Sequence, residues 1–305
     1  MANSSRITRG NAPRVLQYGL DAILDQNGKD YKGEGDRLFE VVKTDKGYYE
    51  MMQLAGMGIA ARKGEGDAIS YDSVDQHWVF RIPVFTYEKS ARVTREMLKD
   101  NVYENLLPRI AREKLKALAH NRDLQQANIL NRAFTAGYTY GDAKVLCATD
   151  HPTQAGATNS NRLASDSDLS EDAIETASIL IDNMINDDGL KSNYVSKKLI
   201  VPVALKFEAV RILKSPARVG TPDNDANVLK MDGYIEEIVV WKRLTDSDAW
   251  FISTDAENGL LEIRREGIYT QESMDPYTHD TILTTAERAA WSVGDHRCIV
   301  GTPGA

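Results

Sequence analysis

The chain has 305 residues and a formal charge of −8, from 37 basic and 45 acidic side chains, and 42% of its residues are apolar. These values are ordinary for globular proteins, and they exclude a collagen, a disulfide-stapled miniprotein and a largely disordered chain. The acidic balance disfavours general binding of nucleic acid, and the length favours two domains. Cys147 and Cys298 are the only cysteines, and no apolar run is long enough to span a membrane. We therefore expect a soluble protein of a reducing compartment.

The first half of the chain predicts an extended ribbon followed by a long helix. Residues 1–13 show no periodicity and predict an arm, and residues 14–24 predict a short amphipathic helix. Residues 56–87 predict a long β-hairpin, with Ile69 and Tyr71 on one strand and an aromatic, β-branched run on the other. A lone hairpin is marginal in water, so we expect it to lie against another subunit.

Residues 91–134 carry apolar side chains at helical spacing and predict the longest helix of the chain. Pro108 is expected to kink or restart this helix, because it lacks an amide hydrogen and its ring clashes with the preceding turn. Gly137 is expected to end it. A helix of this length would form the structural spine of a domain.

The second half alternates shorter helices and strands. Residues 138–168 are rich in loop formers and predict a domain boundary, after which Ser170 is expected to cap a second helix that Gly189 follows. Pro202 is expected to begin a third helix. Strands are predicted at residues 199–201, 234–241, 250–253, 260–265, 281–284 and 297–300. The pattern predicts a mixed α+β fold.

The search for chemistry finds no catalytic pattern. His151, His279 and His296 each adjoin an acid, which raises a metal-dependent hydrolase as an alternative, but no pair of ligands has a metal-binding spacing. Cys147 precedes His151 by four residues but lies in an apolar run, which predicts a buried thiol. Nucleophile-elbow and phosphate-loop motifs are also lacking in the sequence. We predict no catalytic, cofactor-binding or metal residues, and a structural protein rather than an enzyme.

The order of several short segments points to a known family. The segments are Thr94–Asn101, Leu146–Pro152, Leu199–Leu205 with Ala209–Ser215, Asn227 with Ala249–Ile252, and Gly294–Arg297 with Gly301–Ala305. In the order of these segments, the sequence resembles the major capsid (head) protein of tailed bacteriophages, with the Hong Kong 97-type fold and, in its second half, the Mu-like major head subunit. The segments extend over residues 94–305.

The resemblance implies an arrangement of parts. Residues 1–45 would be an N-terminal arm and residues 46–88 an E-loop hairpin lying over a neighbouring subunit. Residues 89–160 and 258–290 would form the P domain, which contains the spine helix. Residues 161–257 and 291–305 would form the A domain. Because the chain starts almost directly with the arm, the resemblance suggests a mature form or a separate scaffold. Lys63 lies near the predicted hairpin tip, but no partner Asn is identifiable, so no covalent cross-link is predicted.

The resemblance also implies a function and partners. The chain would self-assemble, through hexamers and pentamers, into the icosahedral head around a phage dsDNA genome that it contacts only weakly. Other implied partners are a scaffolding protein and a portal, with a decoration protein left open. The protein would reside in the virion after assembly in the host cytoplasm, without a membrane or cofactors. Two alternatives remain: an encapsulin-like nanocompartment shell, and a soluble metal-dependent hydrolase using His151, His279 and His296.

Overall fold

The computed structural model describes residues 33–54, 76–99, 106–216 and 226–305, with shorter stretches between 56 and 71. The predicted helix at 14–24 lies outside the described residues. The fold is mixed α+β, as predicted, and within the described residues it contains two four-stranded sheets and two two-stranded ones.

The described chain contains twelve strands, five α-helices and two 3₁₀ turns. The strands are β1 (Glu40–Lys43), β2 (Tyr48–Leu54), β3 (Gln76–Pro83), β4 (Phe85–Val93), β5 (His151–Pro152), β6 (Thr158–Asn159), β7 (Ser196–Val201), β8 (Glu237–Val240), β9 (Trp250–Thr254), β10 (Leu260–Met274), β11 (Thr281–Val293) and β12 (Ile299–Thr302). The helices are α1 (Arg95–Lys99), α2 (Leu106–Asn131), α3 (Glu171–Asp182), α4 (Lys206–Lys214) and α5 (Val228–Asp232), with 3₁₀ turns at Gly35–Arg37 and His296–Cys298.

The first sheet has the strand order β1-β10-β11-β4. Strand β1 runs parallel to β10, and the other pairs are antiparallel. Helix α2 packs beside β11 and β4. Lys114 of this helix is buried, and its Nζ donates to the carbonyl of Leu283 at 3.1 Å. Burial lowers the pKa of Lys114 to about 8, because desolvation disfavours the charged amine.

The second sheet, in the order β12-β9-β7-β8, is covered on both faces. Successive residues of a strand point to opposite faces, so continuous apolar runs can serve two cores at once. Ile200 and Phe251 face one core with Leu130 of α2. Leu199 and Ile252 face the other core, formed with α3 and α4. The sheet is therefore the middle of three layers.

The long helix predicted for residues 91–134 is shorter in the structure. Residues up to Val93 belong to β4, because they pair with Thr281 and its neighbours on β11 and a strand ladder prevails over local helical spacing. Helix α2 ends at Asn131 rather than near Gly137. The chain turns there, and the amide of Cys147 donates to the carbonyl of Ala133 at 2.9 Å. The break expected at Pro108 adjoins residues 100–105, which lie outside the described residues.

The hairpin prediction was wrong about its first strand. Strand β3 pairs with β2 at Tyr48–Leu54, upstream of the predicted run. Ile69 and Tyr71 lie outside any strand and are 64% and 94% exposed. Tyr49 lies opposite Ile82, whose face is buried against the first sheet, so burial determines the pairing.

The helix predictions in the second half were right in kind and partly wrong at the ends. Ser170 caps α3, because its hydroxyl accepts from the amide of Ala173 at 3.2 Å. Gly189 does not end that helix: it follows Asp182 by several residues and lies in a separate turn with φ +80°. Pro202 does not begin the third helix, because strand β7 extends to Val201 and α4 starts at Lys206.

Candidate assembly surfaces and the buried histidine pair

The β2–β3 ribbon is held to the body of the molecule at its base. Ile82 is 5% exposed and packs against Ile263 and Ala290 of the first sheet. Met52 and Val79 form a cross-strand pair on the other face of the ribbon and are 52% and 44% exposed. The ribbon therefore carries apolar surface that this subunit does not bury.

Two glycines of the body accommodate side chains of the ribbon. A Cβ on Gly141 would lie 2.0 Å from the ring of Trp78, and a Cβ on Gly294 would lie 2.4 Å from the methyl carbon of Met51. The side-chain amide of Gln53 also donates to Asp187. These contacts hold one face of the ribbon to the body along the paired strands, and they require glycine at both close approaches.

The outer layer of the second sheet exposes further apolar side chains. Phe207 on α4 and Met231 on α5 are 73% and 76% exposed, and Ile179 on α3 is 61% exposed. Each of these helices buries its other face in the core of the second sheet. Large apolar side chains grouped on exposed faces are typical of interaction surfaces.

The structure brings two of the three candidate histidines together. The rings of His151 and His296 stack with centroids 3.9 Å apart and an interplanar angle of 5°. His151 Nδ1 is bonded to Asp142, and Asp142 Oδ2 lies 3.9 Å from His296 Nδ1. His151 is 1% exposed.

His279 lies elsewhere. It occupies the exposed turn between β10 and β11 with φ +59°, whereas His296 follows the opposite end of β11. The 13 residues of β11 span roughly 40 Å at about 3.3 Å per residue. The three histidines of the hydrolase alternative therefore do not form one site.

Asn161 fixes the hydrogen-bonding state of His151. Its Nδ2 faces the carbonyls of Leu146, His296 and Ile299 at 2.7–3.0 Å, so its Oδ1 must be the atom that faces the backbone amide of Ala148. The same Oδ1 lies 3.0 Å from His151 Nε2. Both ring nitrogens of His151 thus face acceptors, so both carry hydrogens and the ring is an imidazolium paired with Asp142.

The pKa shifts agree with a buried ion pair. Burial alone would raise the pKa of Asp142, but the hydrogen bond and charge of His151 lower it overall. Burial lowers the pKa of His296 well below its ordinary value of 6.5, and the charges of His151 and Arg297 act in the same direction. The lowered pKa values therefore favour a charged Asp142 and a neutral His296.

Asp142, His151 and His296 offer ligand atoms within 4.8 Å of one another, which makes them a candidate metal group. The geometry fits a metal poorly. The Nδ1 hydrogen of His151 already points at Asp142, and the lone pairs of two parallel stacked rings cannot converge on one ion. We interpret the cluster as a structural ion pair.

The structure also places Cys147 and three polar residues that the sequence did not indicate. Cys147 is fully buried, and burial raises the pKa of its thiol far above the usual range. Asn161, Asp142 and Arg297 are polar residues of this region that sequence reasoning missed. Arg297 is buried between Asp187 at 2.8 Å and Asp295 at 3.0 Å. No spacing in the sequence links these residues, because the fold brings them together from distant segments.

Among the described residues, no helix has the length and apolarity needed to cross a membrane.

Comparisons with known proteins fit this architecture. A family model described as phage capsid protein matches residues 80–301. No curated protein matches the sequence. Among solved structures, the capsid of a native GTA particle is similar, with a TM-score of 0.60, 11% identity, and coverage of 90% of this chain and 91% of that chain.

Two other solved structures extend the comparison. The capsid of the cyanophage P-SCSP1u has a TM-score of 0.57 and 10% identity, covering 88% of this chain and 86% of that chain. A virus-like particle from Pyrococcus furiosus has a TM-score of 0.51 and 13% identity, covering 93% and 97%. At these identities the structures establish the fold, and the family model establishes the family. The chain therefore belongs to the phage capsid protein family, and it is a structural component of the virion with the tailed-phage, Hong Kong 97-type major capsid fold.

Proposed function

We propose that this chain is the major head subunit that self-assembles, as hexamers and pentamers, into an icosahedral shell around a dsDNA genome. The observation that carries this proposal is the family match over residues 80–301. The exposed apolar side chains of the ribbon and of the outer helices support it, because a lone subunit leaves them in water and a shell would cover them.

The parts of the chain have distinct roles in this proposal. Residues 1–45 form the arm, and residues 46–88 form the E-loop over a neighbouring subunit. Residues 89–160 and 258–290 form the P domain, built on the first sheet and α2. Residues 161–257 and 291–305 form the A domain, built on the second sheet. The exposed face of the β2–β3 ribbon supports the E-loop assignment.

The partners follow from the role. Beyond other copies of itself, the subunit works with a scaffolding protein and a portal, with a decoration protein as an open possibility, and it assembles in the host cytoplasm. Its contact with packaged DNA is weak, because a net charge of −8 repels phosphate.

We further propose that the subunit is not an enzyme. The support is the separation of His279 from His151 and His296, and the engagement of both His151 nitrogens in hydrogen bonds. Triple replacement of these histidines by alanine should remove no hydrolytic activity, since none is expected in the wild-type chain. A metal-dependent activity that the triple variant loses would contradict this proposal.

Negative-stain microscopy of the purified protein is the direct test. Closed shells, or free hexamers and pentamers, are the expected result, and a compact monomer at high concentration would refute it. The content of the particles distinguishes a phage head from the encapsulin-like alternative. A phage head packages DNA, whereas a nanocompartment carries a cargo enzyme. The family match to phage capsid proteins favours the first.

A further inference from the structure

Helices α3 and α4 cover the same face of the second sheet but lie towards its opposite edges. Helix α3 packs near β12, and α4 packs near β7 and β8, in a sheet whose order is β12-β9-β7-β8. Both helices contribute to one core. Each helix therefore has one side buried in that core and another side exposed.

The outward stripe of α4 is apolar at its centre and basic at its end. Phe207 and Val210 lie three residues apart on α4 and are 73% and 37% exposed, and Val203, which precedes the helix, is 53% exposed. Arg211 and Lys214 share the stripe and are exposed. Lys206 Nζ lies 5.6 Å from the centroid of the Phe207 ring, and the ring remains largely exposed.

The outward stripe of α3 has the complementary character. Ile179, 61% exposed, lies between Glu175 and Asp182, and the helix contains no Lys or Arg. Acids in a first helical turn are favoured by the helix dipole, but Asp182 is the last residue of α3, where the dipole disfavours an acid. A cation on a neighbouring subunit would offset this unfavourable placement.

We propose that the α4 stripe of one subunit packs on the α3 stripe of the next, with Phe207 against Ile179 and Arg211 and Lys214 facing Glu175 and Asp182. Because the two stripes differ and lie towards opposite edges, the contact is heterologous. Repeated contacts of this kind form a ring when the rotation between subunits closes, as the proposed hexamers and pentamers require. This inference rests on the proposed self-assembly, and it identifies which faces of the second-sheet unit meet.

Cysteine cross-linking tests the pairing directly. Ile179→Cys and Phe207→Cys are introduced singly and together, and assembled protein is treated with a short bismaleimide. The native Cys147 and Cys298 are buried, so wild-type protein should not react. The double variant should give a ladder up to five or six subunits on denaturing gels, and each single variant should stay monomeric, since a heterologous contact never brings two identical residues together.

Two cross-linking results would overturn the proposed contact between the α4 stripe and the α3 stripe of the next subunit. Dimers from either single variant would indicate a two-fold contact, and intact shells of the double variant without a ladder would place other faces at the contact. The proposed function fails separately, if wild-type protein forms neither shells nor rings by microscopy.

Charge reversal provides a second test. Arg211→Glu with Lys214→Glu, or Glu175→Lys with Asp182→Lys, should each reduce the yield of assembled particles about tenfold by placing like charges at the contact. The four changes combined should restore the yield to within about twofold of wild type. Circular dichroism checks that each variant is folded. If the yield of the fourfold variant falls by the product of the two separate reductions, the pairing is contradicted.

Discussion

At the scale of single residues, Asn161 makes several hydrogen bonds beside the histidine pair. It is fully buried and bonds to His151, to the amide of Ala148, and to carbonyls of three other residues. These groups come from two segments, residues 146–151 and 296–299, which Asn161 joins. The amide thus supplies hydrogen bonds that no strand ladder provides there.

Replacement of this residue should be costly. Asn161→Ala should lower the free energy of unfolding by about 3 kcal/mol, because it leaves several buried donors and acceptors unpaired. Urea unfolding of the unassembled subunit measures the change. Asn193→Ala, at an exposed position, is the matched control and should be nearly neutral. A loss below about 1 kcal/mol for Asn161→Ala would show that the network is dispensable.

His296 should make stability depend on pH. Its pKa is lowered well below 6.5 in the folded chain and returns to its ordinary value on unfolding, so the unfolded state takes up the proton first as pH falls. Stability should therefore decrease below about pH 6.5, by at most about 1.4 kcal/mol per pH unit. The pKa of Asp142 lies below its ordinary 3.8, so the stability it contributes is lost only at lower pH.

The His296→Phe variant should flatten the unfolding free energy between pH 5 and about pH 6.5, since phenylalanine keeps a ring against His151 but does not titrate. His279→Asn is the matched control, because it removes an exposed histidine at a positive φ that asparagine tolerates. An unchanged slope in His296→Phe would assign the pH dependence to another group.

At the scale of elements, the attachment of the β2–β3 ribbon depends on close approach at Gly141. Gly141→Ala places a methyl group within 2.0 Å of the Trp78 ring, so the ribbon must shift. We expect a loss of about 1–3 kcal/mol in the free energy of unfolding, as for other overpacked contacts.

Hydrogen exchange followed by mass spectrometry locates the effect of Gly141→Ala. Peptides of β2 and β3 should exchange faster, while peptides of β9 stay protected. Gly58→Ala is the control, because a Cβ there meets nothing within 4 Å. Equal exchange in the two variants would mean that Trp78 does not anchor the ribbon.

Elements also show how far the sequence predicts this fold. The runs around Leu199, Trp250 and Ile299 were recognisable as strands because both faces of the second sheet are buried and the runs are continuously apolar. Strand β2 was missed, and residues 91–93 were assigned to a helix, because their partners lie on β3 and β11 and local spacing does not report distant pairing. The contact between Asp142, His151 and His296 was unpredictable for the same reason.

At the scale of the whole molecule, the net charge of −8 bears on the affinity of the subunit for DNA. The unassembled subunit should bind duplex DNA with a dissociation constant weaker than about 100 µM near physiological salt, because few phosphates can be neutralised. Fluorescence anisotropy with a labelled duplex across a salt series measures this. Tight binding with a steep salt dependence would show a concentrated basic surface that the net charge conceals.

The topology of the first sheet has a consequence for the order of events in the cell. Strand β1 lies against β10, with Glu40 opposite Leu261, and the base of the ribbon rests on Ile263. Pairings between such distant positions form slowly, because a long loop must close before its contacts can stabilise it. The ribbon therefore cannot be seated until β10 has left the ribosome. We expect the surfaces that contact neighbouring subunits to form late in synthesis and together. Nascent chains on the same messenger RNA would then not polymerise with each other before synthesis is complete.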